Sequence, residues 1–185
     1  MNINWVLSDT IAVDPTVNFE QIHEIGSFWG SWRTWRTCQT DNVICHSLSD
    51  AHNLIQRNFQ QQCNFYIPNA NFQSLDRPQG VRLYEGDFVH DVDRQEEIVA
   101  MHLAASLCDI VLLLGFDFSE PTPNPDRLLE HRATHYRNLV NQAIKNNPNV
   151  QWIAVNHVGK LSSEVAKLEQ FTTDTVENIL DLLNS

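Results

Sequence analysis

The segment from Asp109 to Glu120, D-I-V-L-L-L-G-F-D-F-S-E, constrains the fold most strongly, because an unbroken apolar run ends in a glycine and an acidic residue. The run from Ile110 to Leu114 lacks polar alternation, which is typical of a strand covered on both faces. Such strands occur mainly in parallel sheets, where ligands bind beyond the carboxyl ends of the strands. We therefore expect Gly115 to turn the backbone and Asp117 to point into a ligand crevice. The alternative for this segment alone is an ordinary turn with a solvated Asp117.

Apolar strands alternate with helical segments along the chain, and this rhythm predicts the fold class. We predict an α/β fold, a doubly wound, mostly parallel sheet with helices on both faces in three Rossmann-like layers. The 185 residues suffice for one such domain, residues 1–185, and are too few for two. The predicted strands are residues 4–7, 43–45, 65–67, 81–89, 110–114 and 150–155. The predicted helical segments are residues 19–37, 49–62, 93–106 and 127–145, and one or two further helices are predicted in 162–183. A polar loop is predicted at 69–80, and a proline-bearing candidate lid at 119–126.

The net charge limits the classes of partner that the chain is expected to bind. The chain has 12 Lys and Arg residues against 23 Asp and Glu residues, a formal net charge of -11. Such a surface repels phosphate backbones over most of its area, so no nucleic-acid partner is expected. A small-molecule ligand such as a nucleotide sugar stays open, because backbone N–H groups or a helix N-terminus can hold phosphate locally.

The remaining composition gives no sign of a cofactor, a metal or a membrane span. A metal hypothesis at residues 90–93, H-D-V-D, competes with a simpler helix-capping turn, which we favour. Neither a signal peptide nor a long apolar segment is present, so a cytoplasmic location follows by default. Four cysteines, which form no C-x-x-C pair and have no metal-ligand spacing, are expected to be reduced: Cys38, Cys45, Cys63 and Cys108.

Residues 93–168 carry a family resemblance. The helical segment E-E-I-V-A-M-H-L-A-A-S precedes a strand ending in L-L-L-G-F-D-F, then a polar loop, a helix containing His135, and the segment W-I-A-V-N-H-V-G-K-L. This order resembles the C-terminal half of Rossmann-like bacterial sialyltransferases and of the related DUF115 family of uncharacterised proteins. The resemblance covers under half of the chain, and its motif L-G-F-D-F is short.

The resemblance implies a transferase that binds a nucleotide-activated sugar and moves the sugar to an acceptor hydroxyl. It implies His135 as the general base, a role that suits an imidazole because it titrates near neutrality. Asp117 is the second catalytic candidate. The alternative is that His131 and His135 are ordinary surface residues of one helix. The candidate substrate-binding residues are Ser8, Asp9, Thr10, Ser119, His131, Asn156 and His157.

The chain departs from the family after the first strand. Such enzymes carry a Gly-rich turn there, whereas this chain has S-D-T-I-A from Ser8 to Ala12. Side chains, and the charge of Asp9, therefore stand where backbone should approach phosphate. A degenerate, noncatalytic relative is accordingly the alternative to a working transferase.

A tryptophan-rich segment, F-W-G-S-W-R-T-W-R from Phe28 to Arg36, is the second unusual feature. If it is helical, Trp29, Trp32 and Arg36 share one face that could stack on sugars or bases. Arg33 could then cover a ring. Tryptophans at helical spacing more commonly fill a core or a subunit interface. The competing function is therefore a noncatalytic binding or assembly module that uses this segment for homo-oligomerisation or partner capture.

Overall fold

The computed structural model describes residues 2–9, 17–85, 95–120, 123 and 126–183. The strands in these ranges are β1 (Ile3–Leu7), β2 (Ser27–Ser31), β3 (Asn42–Ile44), β4 (Asn64–Pro68), β5 (Val81–Tyr84), β6 (Ile110–Leu114), β7 (Gln151–Val155) and β8 (Phe171–Asp174). The α-helices are α1 (Phe19–His23), α2 (Trp32–Cys38), α3 (Leu48–Gln56), α4 (Asn69–Ser74), α5 (Gln95–Ala105), α6 (Arg127–Asn146) and α7 (Val176–Leu183). Short 3-10 turns cover Phe59–Gln61 and Val165–Lys167.

The described strands form one parallel sheet in the order β5-β4-β3-β2-β1-β6-β7-β8. The chain first moves outward from β1 to the edge at β5, and then returns to place β6 on the other side of β1. The predicted doubly wound α/β fold is therefore confirmed. The strand order reverses between β1 and β6, so their carboxyl ends form the switch point at which open α/β sheets bind ligands.

The two faces of the sheet are covered by different helices, because successive side chains of a strand point to opposite faces. Val6 of β1 belongs to a core cluster that includes the buried sides of α5 and α6. Trp5 and Leu7 point to the other face, where they pack with residues of α1 and α7. A third cluster on that second face joins β3 and β4 to α2, α3 and α4.

Helix α5 crosses the middle of the sheet and is buried along most of its length, including its first turn. Glu96 and Glu97 in that turn lie at the carboxyl edge of the sheet, where each accepts a hydrogen bond from the backbone of a residue that follows a strand, His46 and Asp9 respectively. Helix α5 thus brings Glu97 beside the switch point and Glu96 beside the end of β3.

The prediction of mostly helical structure over residues 19–37 is confirmed only in part, because α1 and α2 lie in this range but β2 separates them. The chain enters β2 at Gly26, where an added Cβ would lie only 2.2 Å from the carbonyl oxygen of Ile3. Strand β2 then ends at Ser31, whose side chain caps α2 by accepting hydrogen bonds from the N–H groups of Arg33 and Thr34. Trp29 therefore lies in a strand, and α2 begins only at Trp32.

Other predicted elements agree more closely. The strands predicted at residues 4–7, 43–45, 65–67, 110–114 and 150–155 and the helix at 127–145 are confirmed with small shifts at their ends. The loop predicted at 69–80 contains α4, and the closing segment contains β8, which was not predicted. The candidate cap or metal site at residues 90–93 and most of the proline-bearing stretch 121–125 lie outside the described residues.

No helix in the described part of the chain combines the length and the apolar character that crossing a bilayer requires.

Candidate functional site

A pocket of about 170 Å³ lies at the carboxyl end of β6. Three parts of the chain form it: the segment that follows β6, the middle of α6, and the segment beyond β7. We call it the β6 pocket. Its lining consists of Phe116–Glu120, six residues of α6 between Thr134 and Asn141, and Ser162–Val165.

Hydrogen bonds hold the walls of the β6 pocket together. The backbone N–H of Ser163 donates to Oε1 of Glu120 at 2.7 Å, which joins the segment beyond β7 to the segment after β6. The side-chain amide of Asn141 donates to Oε2 of Glu164 at 3.1 Å, which joins α6 to the same segment. Two carboxylates of the lining are therefore already engaged, and the pocket is preformed.

Asp117, predicted to point into a crevice, lies on the wall of this pocket with its side chain 68% exposed. Its Oδ1 accepts a hydrogen bond from the backbone N–H of Ser119 at 2.9 Å, and its Oδ2 lies 3.9 Å from Nη2 of Arg137. The Ser119 N–H is the main reason that the pKa of Asp117 lies below its ordinary value; partial burial opposes the shift, and Arg137 adds to it. The pocket thus presents an anionic carboxylate and a loosely paired guanidinium to a ligand.

Tyr136 connects the β6 pocket to the switch point. Tyr136 lines the pocket, and its hydroxyl donates a hydrogen bond to Oε2 of Glu97 on α5. Glu97 is 0% exposed, and its Oε1 accepts from the backbone N–H of Asp9 at 2.5 Å. A buried carboxylate is costly unless donors hold it, so these bonds fix its position. Asp9, Glu97 and Tyr136 form a continuous polar line from β1 to the pocket.

Asp9 follows β1 directly and is held mainly by neighbouring hydroxyl groups. Its Oδ1 accepts hydrogen bonds from the hydroxyls of Ser31 and Thr34, the latter at 2.5 Å. Its Oδ2 is buried without a hydrogen-bond partner in the described residues and lies 3.9 Å from Nη1 of Arg33. The predicted site residue Asp9 therefore lies at the switch point, although its side chain is only 11% exposed.

The two residues predicted beside Asp9 have different positions. Ser8 is fully buried, and its backbone N–H donates to the carbonyl of Leu114 at 3.0 Å, which continues the pairing of β1 with β6. Ser8 therefore faces protein and not an open site. Thr10 lies outside the described residues.

The structure places the two predicted histidines of α6 beside the β6 pocket and not in its lining. His135 is half-buried, and its neighbours Thr134 and Tyr136 both line the pocket. His131 lies about one turn earlier on α6 and is exposed. The catalytic role of His135 stays a prediction, and Tyr136 is the adjacent side chain that reaches the switch point.

Asn156 and His157 follow β7 and belong to the same edge of the sheet. Asn156 adopts a left-handed conformation with φ 54°, and its side-chain oxygen accepts from the N–H of Val176 at the start of α7. This contact gives Asn156 a structural role. His157 packs its ring against Phe118, a pocket residue, at 6.1 Å between ring centroids. Its Nε2 is buried and has no hydrogen-bond partner in the described ranges.

The tryptophan-rich segment does not form one exposed face. Trp29 is 2% exposed in β2 and packs against Tyr66 at 5.4 Å between ring centroids, so the core interpretation is confirmed for this residue. Trp32 packs against the cluster beneath α2 and α3. The guanidinium of Arg33, predicted to cover a ring, lies 5.7 Å from the Trp32 ring centroid, and that of Arg36 lies 4.7 Å away. The predicted stacking of this segment on sugars or bases stays a prediction.

A second polar group lies at the carboxyl ends of β3 and β5. Nδ1 of His46 and the hydroxyl of Tyr84 are hydrogen-bonded at 2.9 Å, and the side chain of Asn71 donates to the carbonyl of His46 at 2.7 Å. Burial, assisted by the nearby charge of Glu96, raises the pKa of Tyr84, which keeps its hydroxyl protonated. These side chains hydrogen-bond to one another and to the backbone at the carboxyl edge of the sheet next to α5.

Sequence reasoning missed Glu97, Tyr136 and Arg137, three residues that define the site. Glu97 directly precedes the apolar run I-V-A-M of a buried helix, but an acidic residue in a first helical turn is also common on exposed helices, so this position alone does not reveal its role. Tyr136 and Arg137 directly follow the histidine that the family resemblance had singled out.

No protein-family model, curated protein or solved structure matches this chain. In the described residues, no group of three His, Cys, Asp or Glu side chains is arranged to hold a metal ion.

Proposed function

We propose that the protein binds a nucleotide-activated sugar across the β6 pocket and the switch point, and that it acts as a glycosyltransferase-like enzyme. The observation that carries the proposal is the polar line from Asp9 through Glu97 to Tyr136, which ends in a preformed pocket bearing Asp117 and Arg137. Open α/β sheets bind their ligands at this location.

The chemistry of the lining suits a ring that carries hydroxyl groups. Phe116, Phe118 and Val165 supply apolar surface for the faces of a ring, and the carboxylate of Asp117 accepts hydrogen bonds from hydroxyl groups. A mostly apolar pocket with a few convergent polar groups is the usual form of a small-molecule site. Arg137 supplies a positive charge for a phosphate despite the acidic balance of the chain.

The size of the pocket limits which part of the ligand it holds. Its volume of about 170 Å³ lies below the roughly 300–1,000 Å³ of pockets that enclose a whole drug-sized ligand. A single sugar or nucleoside ring is therefore the proposed occupant, and the rest of the ligand extends over the carboxyl ends of β1 and β6.

In the proposed transfer, the bond between the anomeric carbon and the leaving phosphate oxygen breaks. The acceptor oxygen forms the new bond to that carbon, and its proton passes to a general base. His135 is the base that the family resemblance implies. The hydroxyl of Tyr136 is a second candidate, because Tyr136 lines the pocket and its hydroxyl can pass its own proton to the Glu97 carboxylate as it accepts another.

A thermal-shift screen tests the binding proposal directly. Cytidine and uridine nucleotides, their sugar conjugates and free monosaccharides are added separately, and the melting temperature is recorded. A ligand at 100 times its Kd stabilises the fold by about 2.7 kcal/mol, which raises the melting temperature of a chain of this size by roughly 5–10 °C.

Arg137→Gln should abolish the shift given by a nucleotide sugar, because Arg137 lines the pocket. Arg132→Gln is the matched control, since Arg132 is exposed on the same helix outside the lining. No shift with any compound at millimolar concentration, or a shift that Arg137→Gln leaves unchanged, would contradict the proposal.

Release of free nucleotide from a bound nucleotide sugar separates the enzyme from the noncatalytic module. Turnover that His135→Ala or Tyr136→Phe abolishes, with binding retained, supports transfer and identifies the base. Binding without any release of nucleotide from the unaltered protein supports the noncatalytic module.

A further inference from the structure

The first two turns of α6 are exposed to solvent in the described structure. All eight residues from Arg127 to Thr134 are exposed, although the same helix is buried at Val140, Ala143 and Ile144. At 1.5 Å per residue, these eight residues form about 12 Å of exposed helix. Leu128 and Leu129 within it are 59% and 50% exposed. We call Arg127–Thr134 the α6 overhang.

The overhang bears positive charge beside its leucines. Arg127 and Arg132 flank Leu128 and Leu129, and Glu130 is the single acidic residue in the eight. Leu128 and Arg132 are four residues apart, so they lie on the same side of the helix. On a chain of net charge -11, this combination of apolar and basic side chains is unusual.

Helix α7 bears the opposite combination. Its outward side carries Glu177 and Asp181, and next to them Leu182 is 69% exposed and Leu183 is 38% exposed. The helix contains no Lys or Arg residue between Val176 and Leu183. The acidic residues and leucines of α7 are thus complementary in charge and polarity to the basic residues and leucines of the α6 overhang.

The two surfaces cannot meet within one molecule. The buried part of α6 packs on one face of the sheet together with α5. The buried side of α7, through Val176 and Ile179, packs on the opposite face. A contact between them therefore requires a second copy of the chain, and it joins different patches of the two copies in a head-to-tail arrangement.

We propose that the protein self-associates head to tail, with the α6 overhang of one copy docked on α7 of the next. Leu128 and Leu129 then pack against Leu182 and Leu183, and Arg127 lies opposite Glu177 and Asp181. Both complementary partners are present on this chain, which is why the occupant is a second copy and not another protein. The proposal is independent of the proposed sugar binding.

Sedimentation equilibrium of the full chain tests the proposal. The unaltered protein should show a concentration-dependent mass above 21.3 kDa, the mass of one chain. Leu128→Asp and Leu182→Asp should each reduce the association constant at least about tenfold, because each puts a charge into the apolar contact. Leu107→Asp is the matched control and should have no effect, since Leu107 is 60% exposed and lies on neither surface.

Charge reversal tests the pairing itself. Arg127→Glu and Asp181→Lys should each weaken association, and an equimolar mixture of the two variants should associate again, because the reversed overhang of one variant faces the reversed α7 of the other. A monomer at all concentrations up to about 1 mM would overturn the proposal. So would a mixture that stays monomeric, or leucine variants that associate as well as the Leu107→Asp control.

Discussion

The hydroxyl of Tyr136 on α6 donates a hydrogen bond to Oε2 of Glu97, the fully buried carboxylate in the first turn of α5. Because Oε1 of the same carboxylate is held by the N–H of Asp9, this contact links the wall of the β6 pocket to the end of the central strand. A ligand that displaces Tyr136 would therefore act on the backbone at the switch point as well as on the pocket.

Tyr136→Phe should lower the free energy of unfolding by about 1–3 kcal/mol. The substitution keeps the ring in the pocket wall and removes one donor from a buried carboxylate, whose desolvation is then less well compensated. Urea unfolding at neutral pH measures the change. His131→Ala on the exposed part of α6 is the control and should stay within about 0.5 kcal/mol of the unaltered protein. A loss no larger than that of the control would mean that the hydrogen bond contributes little.

The difference between what the sequence predicts and what the structure places near the switch point has a physical reason. Unbroken apolar runs reveal buried parallel strands, so β6 and the flanking long helices are predictable from local pattern. The role of Glu97 cannot be predicted in this way, because acidic residues in a first helical turn are favoured by the helix dipole on any exposed helix. Only the packing of α5 across the sheet buries this one, beside a tyrosine 39 residues further along the chain.

The strands that the sequence did not predict, β2 and β8, also depend on contacts between distant parts of the chain. The aromatic residues between Phe19 and Thr37 are compatible with a strand as well as a helix. The presence of β2 is decided by pairing with β1, a contact that no local pattern contains. Apolar and polar residues do not alternate clearly over the four residues F-T-T-D of strand β8. This strand likewise depends on pairing with its neighbour β7. The position of Asp117 near the sheet edge was predictable, because it lies three residues after the end of the clearest strand in the chain.

Acid titration should show a stabilising role of the Asp117 carboxylate. Its pKa is lower in the folded than in the unfolded chain, so it contributes stability above its unfolded pKa of roughly 3.9 and loses this contribution as the pH falls through the folded pKa. Relative to Asp117→Asn, the unaltered protein should be more stable at pH 6 by less than about 1 kcal/mol, since the side chain is largely exposed. Urea unfolding between pH 6 and pH 2 should show this difference vanish on the acid side.

The cause of that shift is testable separately by following the Asp117 carboxyl resonance with pH. The hydrogen bond from the Ser119 N–H is the largest contribution and Arg137 a smaller one, so Arg137→Gln should leave the pKa of Asp117 still below its ordinary value. A return to the ordinary value in Arg137→Gln would reverse the order of the two causes. In that event, the guanidinium and the carboxylate would be more tightly coupled than their separation of 3.9 Å indicates.

Gly26→Ala should destabilise the fold by about 1–3 kcal/mol or more, because the new Cβ would lie 2.2 Å from the carbonyl oxygen and 2.9 Å from the carbonyl carbon of Ile3. Those atoms belong to the backbone of β1, so relief requires β1 and β2 to separate where they pair. Ser27→Ala is the control at the next residue, since Ser27 is exposed. Thermal and urea unfolding of the two variants measure the difference. Equal stability of the two would mean that the entry into β2 tolerates a side chain and that another contact determines where this strand begins.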